Sequence, residues 1–243
     1  GKLHFWEDHY FRLMSSMRIL RMEIPMEFSP EYFLDQINEF ISANHLDGQA
    51  VRLRWTVFRK DGGLYVPQSN NIEWVLEGSK VENDLFVLNE TGLQIELYKE
   101  HYKPKGLLAN IKSTSSQFYN VAGVYISENK WDEAVIINDD KHVVESLYGN
   151  LFMVKDGVLI TPSLSTGCIK GVMRKNILEI AKIMEIPVEE KNFSPFDLQR
   201  ADEVFITNAI KGIQWVSGYR KKVYQKDLSE KFLEKLNLRV NLG

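Results

Sequence analysis

"VVESLYGNLFMVKDGVLITPSLSTGCIKGVMRKNILEIA", residues 143–181, is the stretch whose reading decides the fold. Two apolar runs, 150–154 and 158–161, flank Lys155-Asp156-Gly157, a short-hairpin signal. A further strand is expected over 142–146, and a helix over about 172–184, opened by Lys170-Gly171. Hairpin strands running straight into a helix argue for a mixed sheet, not a doubly wound parallel one.

Upstream lies "LLANIKSTSSQFYNVAGVY", residues 107–125. Phe118, Val121, Ala122, Tyr125 and Ile126 form a helical stripe, so Lys112 stands just ahead of a helix. Ser113, Thr114 or Ser115 could cap that helix unaided, so folding does not require the lysine. A lysine can serve as general base or Schiff-base former, and both uses need a neutral amine. The plainer reading is an exposed or snorkelling side chain.

Further out, Trp6, Tyr10, Leu13, Met14, Met17 and Leu20 predict a helix to about Arg21. A second helix follows Ser29-Pro30, with Phe33, Ile37, Phe40 and Ile41 on one face. "AVRLRWTVFRKDGGLYVP", residues 50–67, reads as strand, Asp-Gly-Gly turn, strand. More strands are expected near 71–76, 93–98, 133–138, 188 and 203–208. A short helix should follow Ser194-Pro195, and a terminal one should cover "LSEKFLEKLNL". The polar "KEHYKPKG", residues 99–106, carries the only proline between Pro67 and Pro162. Residues 101–108 are therefore expected to link an N-terminal α/β domain over 1–100 to a C-terminal one over 109–243.

The balance of 44% hydrophobic and 26% charged residues over 243, with net charge −3, is that of a globular chain without a strong positive field. The cluster Arg220-Lys221-Lys222 reads as a solvated turn, so no nucleic-acid partner is expected. A single cysteine, Cys168, excludes an internal disulfide framework and fits a cytoplasmic location. No apolar run spans a bilayer and no signal-peptide pattern is present, so no membrane partner is expected. His4, His9, His45, His101 and His142 form no ligand-spaced pair with carboxylates, and no metal site is expected.

"LLANIKS", the stretch 143–181 and "ADEVFITNAIKGIQWV", residues 201–216, together resemble the class IV aminotransferase family of pyridoxal-phosphate enzymes, with E-x-x-x-x-N-L-F, K-D-G-x-L-x-T-P and K-G-x-x-R in order. "HYFRL", residues 9–13, is similar to the family's H-x-x-R-L. The resemblance implies a two-domain fold-type IV architecture, like D-amino-acid aminotransferase, with pyridoxal 5'-phosphate as cofactor and a homodimer. It implies that Lys112 joins the cofactor as a Schiff base and then moves the proton. Glu145 would face the pyridine nitrogen; a carboxylate about 4 Å away is worth roughly 4 kcal/mol at an effective dielectric of 20. Asn150 would brace the site. Gly171 and the amides of Val172 and Met173 would take the phosphate at a helix start, together with Arg12 and the loop at Asn208 and Ala209. Where Met173 stands the family more often has threonine, so only the amide carries over.

Thr207-Asn208-Ala209-Ile210 is similar to the Asn-Ala or Asn-Ser stretch of the aminodeoxychorismate lyases, less so to the Gly-Thr-Ala of branched-chain transaminases. The resemblance thus implies elimination of pyruvate to leave 4-aminobenzoate, with Arg59 and Tyr148 as substrate-side candidates. A branched-chain or D-amino-acid transaminase is the alternative. Family chains carry a few dozen residues before H-x-x-R-L, including a substrate-side strand, and this sequence opens after them. Either the sequence is a piece of a longer chain, or the protein is shortened with an open pocket, and an inactive cofactor-binding homologue is a third expectation.

Overall fold

Glu133-Ala134-Val135-Ile136-Ile137 is a strand buried along its whole length. Its alternate residues feed two different cores. Val135 and Ile137 join Ile95, Leu151, Met153 and Val216 on one face, whereas Ala134 and Ile136 join Tyr98, Ala122 and Ile126 on the other. A strand covered on both faces has no solvent side, hence the unbroken apolar run in place of an alternating one.

The computed structural model describes residues 1–242 and divides into two compact units, Gly1–Leu85 and Phe86–Leu242. The first unit contains helices α1 (Trp6–Ile19) and α2 (Pro30–Ala43) and strands β1 (Val51–Arg59) and β2 (Ile72–Lys80). Ser29 caps α2, its Oγ accepting from Tyr32 N at 3.2 Å, with Pro30 opening the helix. β1 and β2 pair antiparallel from Val51↔Lys80 to Arg59↔Ile72. The core is built from rings: Phe33 lies 4.5 Å from Trp55 and 4.9 Å from Phe28, and Trp55 stacks on Trp74 at 4.3 Å.

One expectation fails here. Residues 64–67 do not form a strand. Leu64 and Tyr65 are fully exposed, and only an isolated bridge, Gly63↔Pro67, closes the loop. Gly62 and Gly63 turn the chain back at φ 120° and 85°, and Pro67 removes a ladder donor, so the apolar run finds no partner. The partner of β1 is instead the segment starting at Ile72.

The second unit holds β3 (Leu93–Leu97), α3 (Gln117–Asn129), β4 (Glu133–Ile137), β5 (Val143–Ser146), β6 (Asn150–Lys155), β7 (Val158–Pro162), α4 (Val172–Ile183), β8 (Val188–Lys191), α5 (Pro195–Leu198), β9 (Glu203–Asn208), β10 (Gly212–Tyr219), β11 (Lys222–Val223) and α6 (Asp227–Leu242). These strands form one mixed sheet ordered β5-β4-β3-β10-β9-β6-β7-β8, with β11 on β10. β3 runs parallel to both β4 and β10 and is inseparable from this sheet. Residues 101–108, expected as a linker, lie inside this second unit. α6 starts where Glu203 receives Leu228 N at 2.7 Å and Ser229 N at 3.0 Å, a buried carboxylate answering the helix's first amides.

Candidate active site

The turn between β5 and β6 places Glu145 and Asn150 on either side of one residue, Ile169. Glu145 Oε2 accepts from Ile169 N at 2.8 Å, and Asn150 Nδ2 donates to Ile169 O at 2.8 Å. Asn110 adds a third tie: its Nδ2 donates to Cys168 O at 2.7 Å and Leu164 O at 2.9 Å, while its carbonyl receives Lys170 N at 2.9 Å. The segment leading into α4 is thus held almost residue by residue. That explains the spacing of glutamate and asparagine, which grip the two polar ends of one residue.

α4 begins at Gly171, which contributes no side-chain cap, and Val172 and Met173 are buried in its first turn. The first amides of a helix lack intrahelical acceptors and carry the positive end of its dipole. A side chain at Gly171 would collide with Asn150 Oδ1, so this helix start and Asn150 come as close as backbone allows. Opposite Asn150 in the sheet lies Thr207, buried, with an Oγ1 that has no hydrogen-bond partner. Arg174, the last residue of K-G-x-x-R, is not at this site. It is buried and donates to Pro162 O at 2.9 Å and Glu190 at 2.6 Å, tying α4 to β7 and β8.

Glu145 itself is 2% exposed. Its Oε1 accepts from Tyr119 OH at 2.6 Å and forms an ion pair with Lys103, also buried. Burial, and then the carboxylate, push the Tyr119 phenol far above its ordinary range, so it stays a proton donor. Lys112 is exposed, in the segment between a 3-10 turn at Leu107–Asn110 and α3, two residues past the anchored Asn110. Tyr148 is exposed, and its backbone N donates to Glu133 Oε1 at 2.9 Å. Asn208 folds its own loop: Oδ1 accepts from Ile210 N at 3.0 Å and Lys211 N at 2.9 Å, with Ala209 half-buried between them.

Two expected site residues lie in the first unit. Arg12 stands on α1 with Nη2 3.5 Å from His9 Nδ1; burial lowers the arginine's pKa, and burial with the arginine's charge pushes His9 down to about 4. Arg59 uses its guanidinium inside its own unit, on Leu20 O at 2.7 Å, Asn70 Oδ1 at 2.5 Å and Arg21 O at 3.4 Å. These bonds clamp the end of α1 to the hairpin. Sequence reasoning missed Lys103, Tyr119, Asn110 and Thr207. Tyr119 and Asn110 sit in the stretch around Lys112, yet nothing in their spacing announces a carboxylate 26 residues on or a carbonyl 58 residues on.

Residues 1–219 match the family model for amino-transferase class IV. The chain belongs to this family. The family is pyridoxal-phosphate-dependent, and its mixed α/β architecture is the one expected from the sequence. Among curated relatives, an aminodeoxychorismate lyase from Vibrio harveyi is 26% identical over 226 residues, covering 90% of this chain and 79% of that protein. A probable branched-chain-amino-acid aminotransferase from Thermotoga maritima is 40% identical over 81 residues, 33% of this chain and 30% of that protein. Among solved structures, the branched-chain amino acid aminotransferase from Thermobaculum terrenum in its PLP form superposes with a TM-score of 0.86 at 19% identity, over 99% of this chain and 80% of that one.

The second unit's residues fit the family's cofactor. An uncapped helix start backed by glycine suits a phosphate, Thr207, opposite Asn150 in the sheet, offers an unused hydroxyl, and Glu145 is a fixed buried carboxylate for a ring nitrogen. Among the described residues no group of histidine, cysteine or acidic side chains is arranged to hold a metal ion, and no helix is long and apolar enough to cross a membrane.

Proposed function

We propose that the protein is a pyridoxal-phosphate-dependent lyase converting 4-amino-4-deoxychorismate to 4-aminobenzoate and pyruvate. The observation that carries the cofactor reading is the double grip of Glu145 and Asn150 on Ile169, which fixes a carboxylate and a helix N-terminus relative to each other. The lyase reading is supported by the similarity along 90% of the chain to the Vibrio enzyme of that name, and by the Asn208 loop.

When bound, pyridoxal phosphate withdraws electrons from the substrate carbon that bears the amine. The amides of Val172 and Met173, with the Thr207 hydroxyl, hold its phosphate. Glu145 would accept the hydrogen bond of its ring nitrogen, and Lys112 would hold its aldehyde carbon. Lys103 is already paired with the Glu145 carboxylate and is not assigned that task. The neutral Lys112 amine would take the proton from the amine-bearing ring carbon. The ether C–O bond breaks, and the departing three-carbon enol gains a proton to leave as pyruvate, so atoms balance. Tyr148, exposed beside Glu145 and Asn150, faces the substrate. The same reading makes the active form a homodimer, an expectation that light scattering would test.

The experiment is cofactor addition, borohydride reduction and peptide mapping, followed by a pyruvate assay without keto acid. Modification of Lys112, absent in Lys112→Ala, with pyruvate released, is the expected result. A proton-transfer residue of this kind contributes about 10²- to 10⁴-fold, so Lys112→Ala should lose at least that in turnover. The 40% identity with the Thermotoga protein favours a second reading, amino-group transfer. Strict dependence on 2-oxoglutarate would replace the lyase by a transaminase, and the lack of any visible band would leave a scaffold.

A further inference from the structure

The buried pair of Lys103 and Glu145 has a chemical consequence for the ring that Glu145 serves. We propose that Lys103 is a positioning residue that shares Glu145 with the cofactor's ring nitrogen, limiting how strongly that nitrogen holds a proton and so disfavouring amino-group transfer against elimination. This inference rests on the function proposed above, because it needs Glu145 to face the ring.

Lys103 is not a surface lysine that happens to fold inward. It is 5% exposed, its backbone N donates to Ile137 O at 3.0 Å, and its chain bridges in parallel to Asn138. Its ammonium lies 5.5 Å from the centre of the Tyr119 ring as it reaches the carboxylate. A carboxylate has about four acceptor directions. On Glu145 two are taken at Oε1, by Lys103 and Tyr119, and one at Oε2, by Ile169 N. One direction on Oε2 is left for a ring N–H. The ring then meets a carboxylate whose charge is already opposed by a fixed ammonium in a site with little water to screen it. A like charge nearby disfavours the protonated ring. Elimination that creates an aromatic product draws on that product's stability. Amino-group transfer has no such help and depends more on the ring's electron withdrawal.

The test reads the ring directly, by titrating the ¹⁵N signal of labelled pyridoxal phosphate bound to wild type, Lys103→Met, Lys103→Gln, Lys103→Arg and Glu145→Gln, with borohydride mapping on each. Removing the charge in Lys103→Met should raise the pH at which the ring nitrogen loses its proton by about one unit or more. Lys103→Gln, which keeps a donor to Glu145, should do the same and guards against misfolding of the methionine variant. Lys103→Arg should titrate like wild type, and Glu145→Gln should move the titration down. The fraction of turnovers ending in amino-group transfer should rise with the first two variants. An unchanged titration in both, with Lys112 still modified, sinks this inference and spares the lyase. Wild type modified at Lys103, or nowhere, sinks both.

Discussion

The two units of this chain solve their interiors in opposite ways. In the first, the core is aromatic: Phe28, Phe33, Trp55 and Trp74 lie ring against ring, and its polar atoms belong to rings, such as Tyr10 OH, which donates to Phe28 O at 2.9 Å, and the buried, unpartnered Trp55 Nε1. In the second, Lys103, Glu133, Glu145, Asn150, Arg174, Glu203 and Thr207 are all buried. Among the described residues every polar or charged side chain that is almost wholly buried belongs to this second unit, whereas His9 and Arg12 of the first are only partly buried. Buried charge is poor stabilising material, because desolvation offsets most of the attraction between partners. Its concentration in one unit marks where chemistry constrains the sequence and packing alone does not.

The sharpest way to break that contrast is at Phe33, which is 1% exposed and touches Trp6, Tyr10, Phe28, Tyr32 and Trp55. Phe33→Ala leaves a cavity among rings and should destabilise the first unit by about 3–5 kcal/mol. Denaturant unfolding followed by near-ultraviolet dichroism reads this, and a loss below about 1 kcal/mol would show that ring packing does not carry the unit.

That contrast also decides what the sequence could reveal. Glu145, Asn150 and Gly171 lie within one short stretch, and their spacing survives as geometry because the turn from β5 to β6 and the start of α4 converge on Ile169. Lys103 was hidden because its surroundings, a single proline between two lysines and then a glycine, look like a linker. Its partner is 42 residues away, across a sheet whose parallel β3–β4 pairing no local pattern encodes. The apolar stretch 64–67 misled in the reverse direction. Its β-favouring side chains suit a strand, but a strand also needs a neighbour, and that is a property of the whole fold.

pH separates the units further. Burial raises Glu133 from 4.5 to about 7, against hydrogen bonds that include Tyr148 N. A carboxyl whose folded pKa is raised contributes stability that is fully present below about pH 4.5 and is lost as pH climbs through 7. Glu133→Gln keeps an acceptor without the charge, so it should be more stable than wild type at pH 8 by up to about 3 kcal/mol and nearly equal at pH 4. His9 has the opposite sign. Its pKa falls from 6.5 to about 4, so its contribution is present above 6.5 and lost as pH drops toward 4. His9→Gln should flatten the acid side of the stability profile by about 1–2 kcal/mol, discounted for the ring's partial exposure. Parallel profiles for the two variants would mean that the units do not differ in this respect.

The smallest effect tests the site's scaffold. Asn110 has no acid–base chemistry, and its side chain donates to two carbonyls that it holds at 2.7 and 2.9 Å. Asn110→Ala removes both bonds, each worth about 1 kcal/mol net, so a loss of about 1–2 kcal/mol is expected. If Asn110 served only the fold, the change would end there. Because its carbonyl also receives Lys170 N, and Lys112 follows two residues later, the same substitution should loosen the lysine segment and the start of α4 together. Cofactor affinity, read by fluorescence titration, should then fall several-fold while the fold still melts as one transition. Stability lost with affinity intact would reduce Asn110 to a loop anchor, and would make the second unit's polar interior more structural than the contrast between the units implies.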